Sequence, residues 1–268
     1  MDNRPIGFFD SGLGGLTCIP HLISELPEEK VVYFGDTART PYGSKAEATI
    51  RNFSLEIAGF LMENDVKMIV IACNTVSSVA LTDIREKYPD IPVIGIIRPA
   101  AEKIAKACAP GDRLGIIGTK AMIRSGAYDR ELSVLCGWLD FFSAACPALV
   151  PLIEEGIIES DIMDLTIKYY LDGFIKKNDI NIMVLGCTHY PLIRRNIERL
   201  YPKLKIIDPS VEVVTEIKTT LSDRNISAKD SRFVNTFYAS DLSENFVNMI
   251  DRIFADTAVS VKFKNLER

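Results

Sequence analysis

MIVIACNT (Met68–Thr75) and IMVLGCTH (Ile182–His189) are two copies of one pattern: four apolar residues, a small residue, a cysteine, then two hydrogen-bonding side chains. A short uninterrupted apolar run reads as a strand buried on both faces, and the small residue lets the chain turn. A second pair, IGFFDSGLGG (Ile6–Gly15) and LGIIGTKAMI (Leu114–Ile123), repeats a looser form, an apolar strand followed by a Gly, Ser or Thr turn. The two echoes keep nearly the same spacing between the halves of the chain. Generic βα turns can match in this way by chance; two similar α/β halves facing one another would match for a structural reason.

Further apolar runs extend the pattern in both directions: Val31–Phe34, Val93–Ile96 and Lys205–Ile207 join Ile6–Phe9, Met68–Ala72, Leu114–Ile117 and Ile182–Leu185 as expected strands. Between them, Lys45 to Asn64 carries Ala46, Ile50, Phe53, Ile57 and Leu61 at helical spacing, and Asp161 to Lys177 is a second long helical stretch. Strands alternating with helices predict an α/β fold with largely parallel sheets covered by helices on both faces. Taken as structural, the repeat would make this two pseudo-symmetric three-layer α/β domains facing one another, with the cleft between them as the expected place for an active site. A first crossover near Ile97–Ala101 and a return near Asp208–Val211 divide the chain into residues 1–98 plus 210–268 and residues 99–209. In such sheets ligands bind beyond the carboxyl ends of the strands, so the residues that follow each strand are the ones to examine.

Composition narrows the function. The 268 residues are 47% hydrophobic and 25% charged, ordinary for a soluble globular protein, with a net charge of −5 and no Lys/Arg-rich block. That balance argues against a partner bound through a nucleic-acid backbone. No apolar stretch approaches the roughly 18–20 residues that span a bilayer. MDNRPIGFFDSG lacks the apolar core of a signal peptide, so a cytoplasmic location is expected. The six cysteines form no CxxC pair, and free thiols are the default for such a chain. Cys18, Cys108, Cys136 and Cys146 read as small buried hydrophobes.

Four strand ends carry chemistry. In FDSGLGG, Asp10 and Ser11 precede a glycine turn into a helix whose N-terminus attracts anions. A dinucleotide fingerprint would need glycine where Thr17 stands, and the GK[ST] of a P-loop is absent, so a smaller anion such as a carboxylate is the better fit. Many such turns are glycine-rich only for packing. In YFGDTARTPYGS, Pro41-Tyr42-Gly43-Ser44 forms a turn with Ser44 as an expected N-cap, and its backbone N–H groups and the Tyr42 hydroxyl are candidates to hold a polar substrate end. Plain turn chemistry would look the same. Cys73 and Cys187 each sit at a strand end and a helix mouth, which lowers a thiol pKa from about 8.5 towards neutrality. Such a thiolate can serve as nucleophile, metal ligand or base. Cys73, Cys187 and His189 lack the paired spacing usual for zinc, and no metal is expected. Two activated thiols, one from each half, suit inversion of a carbon centre: one removes a proton from one face while the other returns one to the opposite face.

FDSGLGG, YFGDTARTPYGS, ACNTVS, GTKAMIRSGAYD, CPALVPLIEEG and LGCTHYPLI occur in this order from Phe9 to Ile193. With these segments the chain closely resembles the cofactor-independent glutamate racemases of the aspartate/glutamate racemase superfamily. The resemblance implies interconversion of L- and D-glutamate without pyridoxal phosphate or metal, feeding D-glutamate to peptidoglycan synthesis. It implies Cys73 and Cys187 as the paired acid/base residues, Asp10 as the carboxylate beside the first cysteine, and Glu154 with His189 as the pair assisting the second. Ser11, Asn74, Thr75 and Thr188 match residues that hold the amino-acid head group, and Tyr42 and Gly43 those near the side-chain carboxylate. Arg98 and the Gly118–Ser125 loop, with Met122 and Ile123 where a threonine often stands, are given no role. Aspartate racemase is the neighbouring alternative, and a non-catalytic amino-acid-binding regulatory protein on the same scaffold is the alternative of another class. A homodimer is compatible with this reading.

Overall fold

A computed structural model describes residues 1–229, 234–254 and 259–266 of the chain. The first half alternates β1 (Ile6–Asp10), α1 (Ile19–Glu25), β2 (Val31–Gly35), α2 (Glu47–Glu63), β3 (Met68–Ile71), α3 (Asn74–Lys87), β4 (Val93–Gly95) and α4 (Ile97–Ala107). The second continues with β5 (Arg113–Gly118), α5 (Lys120–Ser125), α6 (Ala127–Leu135), β6 (Asp140–Ala145), α7 (Leu149–Glu154), α8 (Asp161–Asn178), β7 (Ile182–Gly186), α9 (Arg194–Leu200) and β8 (Lys205–Ile207). The tail adds α10 (Glu212–Asp223), β9 (Thr236–Ala239), α11 (Glu244–Phe254) and β10 (Ser260–Phe263).

The strands form two sheets, ordered β10-β9-β2-β1-β3-β4 and β6-β5-β7-β8, and every neighbouring pair is parallel. The order β2-β1-β3-β4 is repeated strand for strand as β6-β5-β7-β8, so β1 corresponds to β5 and β3 to β7. These are the pairs that echo one another in the sequence. β1, β2, β3 and β7 are buried along their whole length, which is why they are apolar without alternation. One apolar cluster runs from Ile6 and Phe8 through Ile97 and Ile104 to Leu114, Ile116 and Val184, so the two sheets share packed core. α4 packs on α6 and α10 within that shared region. Among the described residues, no helix is long and apolar enough to cross a membrane.

Sequence and structure differ at three strands and one cap. β6 (DFFSAA) is an edge strand, half-exposed along most of its length, and lacks the apolar run that marks a buried strand. β9 and β10 lengthen the first sheet beyond β2, and β9 alternates half-buried Thr236 and Tyr238 with buried Phe237 and Ala239. The tail is stitched back to the first sheet by Lys67, whose buried ammonium donates to the carbonyls of Asp2 (2.7 Å) and Ile226 (2.8 Å) and pairs with Glu29 (2.6 Å). Ser44 does not cap α2: it ends a short 3₁₀ turn, Tyr42–Ser44, and the helix begins after Ala46.

Candidate active site

In each sheet, successive connections leave the central strand on opposite sides. The switch lies between β1 and β3 in the first sheet and between β5 and β7 in the second, where an open α/β sheet leaves a crevice at its carboxyl edge. Asp10 ends β1 and Ser11 follows it, and Cys73 follows β3 as the N-cap of α3. Thr119 follows β5, and Cys187, Thr188 and His189 follow β7. The two edges meet around one cavity lined by Ser11, Tyr42, Gly43, Cys73, Asn74, Thr75, Cys187, Thr188 and His189 among the expected residues. Asp10 and Glu154 stand one layer behind it, each hydrogen-bonded to a lining residue. The closeness depends on glycine: a Cβ on Gly14 would lie 2.6 Å from Thr188 Oγ1 and 2.7 Å from His189 Nδ1. Only a residue without a side chain lets the loop after β7 seat against the loop after β1.

The two cysteines have different surroundings. Cys73 Sγ donates to Ser11 Oγ at 3.4 Å. Burial, reinforced by the charge of Asp10, pushes its thiol up to about 12, against a smaller downward pull from Ser11. This corrects the expectation of a thiol near neutrality. The partial charge at the start of α3 is outweighed by the loss of water around the sulfur and by a buried carboxylate. Cys187 Sγ lies 3.9 Å from His189 Nδ1, and His189 Nε2 is bonded to Glu154 Oε1. Burial alone pulls His189 down, but its bonds to Cys187 and Glu154 outweigh that and hold the ring well above the ordinary histidine value. Glu154 is anchored in turn by its backbone carbonyl, which accepts from Asn245 Nδ2 at 2.5 Å.

Polar groups ring the remaining wall. Asp10 accepts from the Gly12 amide (2.9 Å) and from Thr188 Oγ1 (3.1 Å), and burial raises its carboxyl above the usual range. Thr75 Oγ1 and Thr119 Oγ1 are 2.9 Å apart. Asn74 Oδ1 accepts from Tyr128 Oη at 3.0 Å, while the buried Nδ2 finds no partner among the described residues. The Tyr42 hydroxyl, expected to face a substrate, instead donates to buried Asp36, which also accepts from Arg39 Nε (2.7 Å) and Ser240 Oγ (2.7 Å). The turn therefore has its backbone N–H groups, and not the phenol, to offer a ligand. Gly43 packs so tightly that a Cβ there would collide with the Thr119 side chain.

Two lining residues escape the sequence reading, Thr119 and Val150, while Pro41 enters it only as part of the Tyr42-Gly43 turn. Thr119 has a signal, because it aligns with Ser11 in the internal repeat. Val150 has none, being an ordinary helix residue until the fold brings it to the cavity. Among the described residues, no group of three His, Cys, Asp or Glu side chains is placed to hold a metal ion.

The whole chain resembles known proteins. A family model described as Asp/Glu/Hydantoin racemase matches residues 17–217. A glutamate racemase from Sulfurihydrogenibium sp. (strain YO3AOP1) is 47% identical over 80% of this chain and 82% of its own length. The crystal structure of the Francisella tularensis glutamate racemase in complex with D-glutamate superposes with a TM-score of 0.91 at 35% identity, covering 100% of this chain and 99% of that one. The Picrophilus torridus aspartate racemase, at 15% identity and a TM-score of 0.57 over 84% of this chain and 99% of that one, shares the fold alone. The repeated sheets, the thiol at the same strand end of each and these similarities lead to one assignment: the chain belongs to the Asp/Glu/Hydantoin racemase family, among the glutamate racemases.

Proposed function

We propose that this chain interconverts L- and D-glutamate by passing the α-proton between Cys187 and Cys73. The observation that carries the reading is the unequal environment of two equivalent sulfurs. Cys73 is held as a thiol, ready to donate a proton. Cys187 faces a histidine whose bonds to Cys187 itself and to Glu154 hold its pKa well above the ordinary value, a cationic neighbour for a thiolate. In the L-to-D direction Cys187 takes the proton from Cα. The electron pair spreads into the α-carboxylate, and the Cys73 thiol delivers its proton to the opposite face. The reverse reaction exchanges the roles, with Asp10 beside Cys73 as the assisting carboxylate. Acid and base are both supplied by the chain, so the reading requires no cofactor.

An α-proton is only weakly acidic, so a base alone leaves a high barrier. Oriented donors must stabilise the charge that develops on the carboxylate. The unpartnered Asn74 amide donates to the α-carboxylate in the bound substrate as in the transition state, with Ser11, Thr75 and Thr188 around the head group. The backbone of Tyr42 and Gly43 holds the distal carboxylate. The free cavity holds little more than about one water molecule, so a glutamate enters only if its walls part. We take residues 1–98 plus 210–268 and residues 99–209 as the two bodies that separate. Closure over substrate then excludes water and strengthens each electrostatic contact. The product serves peptidoglycan synthesis in the cytoplasm.

Incubating L-glutamate with the purified protein and following its circular dichroism tests the reading. Decay of the signal to zero is expected; a signal that never decays would favour an amino-acid-binding protein. Aspartate run in parallel distinguishes the neighbouring racemase, whose shorter substrate leaves the turn at Tyr42-Gly43 out of reach.

A further inference from the structure

We propose that Tyr128, which does not line the cavity, is a positioning residue: its hydroxyl sets the direction of the Asn74 amide and so tunes binding of the substrate's α-carboxylate. This rests on the reading above that Asn74 binds that group. Asn74 is 2% exposed and opens α3, whereas Tyr128 belongs to α6 in the second half of the chain and approaches Asn74 from behind the cavity wall. The phenol donates to Asn74 Oδ1 at 3.0 Å. An amide is planar with its two polar ends opposed, so holding the oxygen against Tyr128 turns the NH₂ away from it. That NH₂ is buried and finds no acceptor among the described residues. A flipped amide would aim its oxygen at the substrate's carboxylate and leave the Tyr128 hydrogen without this acceptor. Tyr128 is itself 2% exposed within the core shared by the two sheets, and burial keeps its phenol protonated, so it remains a donor at any working pH. Because the bond joins the two halves of the chain, the amide is aimed only when those halves are together.

Tyr128→Phe removes the hydroxyl and keeps the ring. KM for both enantiomers is expected to rise about five- to tenfold, the scale of one oriented hydrogen bond, with kcat changed less and the melting temperature near that of the unmodified chain. In an Asn74→Ala background, which raises KM by itself, the same change is expected to have no further effect. A Tyr128→Phe protein with unchanged KM, or one whose KM rises equally with and without Asn74, overturns the proposal and leaves Asn74 as a binder oriented by other means. If Asn74→Ala leaves KM unchanged, the carboxylate reading fails and the proposal falls with it. Asn74→Asp gives an independent check that leaves Tyr128 in place. It keeps an acceptor for the phenol but turns an oxygen to the substrate, and KM should rise roughly a hundredfold or more. Binding retained in that variant would also overturn the proposed orientation.

Discussion

Cys187 Sγ stands 3.9 Å from the imidazole of His189, a partner for which the equivalent sulfur has no counterpart; Cys73 faces the Ser11 hydroxyl instead. In the internal repeat Cys187 aligns with Cys73, and His189 aligns with Thr75. The scaffold is symmetric, but the proton-handling groups placed on it are not.

That asymmetry predicts a difference in reactivity. With its thiol raised to about 12, Cys73 should be alkylated slowly by iodoacetamide at neutral pH. Its rate should climb about tenfold per pH unit from pH 8 towards 11, as thiolate accumulates. Mass spectrometry of the labelled peptides, with and without glutamate as protectant, reads this directly. Rapid labelling of Cys73 at pH 7 would contradict its placement as the resting acid.

Much of this fold is legible in the sequence. β1, β2, β3, β5 and β7 are nearly or fully buried, and full burial writes itself as a continuous apolar run. β6 escaped because an edge strand needs apolar residues on only part of its surface, and β9 because four residues with alternate burial carry little signal. The cysteines and Asp10 stood out at strand ends. The Cys73 environment did not, because helix-terminus effects are local and desolvation is set by what the rest of the chain packs around the sulfur. The direction of the Tyr42 hydroxyl is not legible in the sequence for the same reason: its partner, Asp36, is held in place by Arg39 and by Ser240 from the distant tail.

A second prediction concerns pH. The folded-state pKa of His189 is raised, so the protonated ring contributes stability that is fully present below the unfolded value of about 6.5 and is lost as pH rises through the folded one. Thermal stability should therefore fall as pH increases above 6.5, and fall less steeply in His189→Asn. Nitrogen NMR of labelled histidine should show the His189 ring still charged at pH 7.5. A neutral ring there would remove the cationic neighbour from Cys187.

A third concerns the distal end of the substrate. If the Tyr42-Gly43 backbone holds a charged carboxylate, glutamine should be turned over at least about a hundredfold less efficiently than glutamate, since an amide gives those N–H groups a weaker acceptor. Gly43→Ala should also lower kcat/KM for glutamate, by about tenfold or more, because the added methyl pushes the turn off Thr119. Equal turnover of glutamate and glutamine would remove this turn from the substrate site.

The central claim is that two thiols share one proton transfer, each acting from its own face. Deuterium wash-in followed by NMR, run on each enantiomer with Cys73→Ala and Cys187→Ala, tests it most directly. Neither variant should racemise. Cys187→Ala should still exchange the α-hydrogen of D-glutamate but not of L-glutamate, and Cys73→Ala should do the reverse. Racemisation by Cys187→Ala at a near-normal rate, or exchange of both enantiomers in either variant, would contradict the two-thiol account.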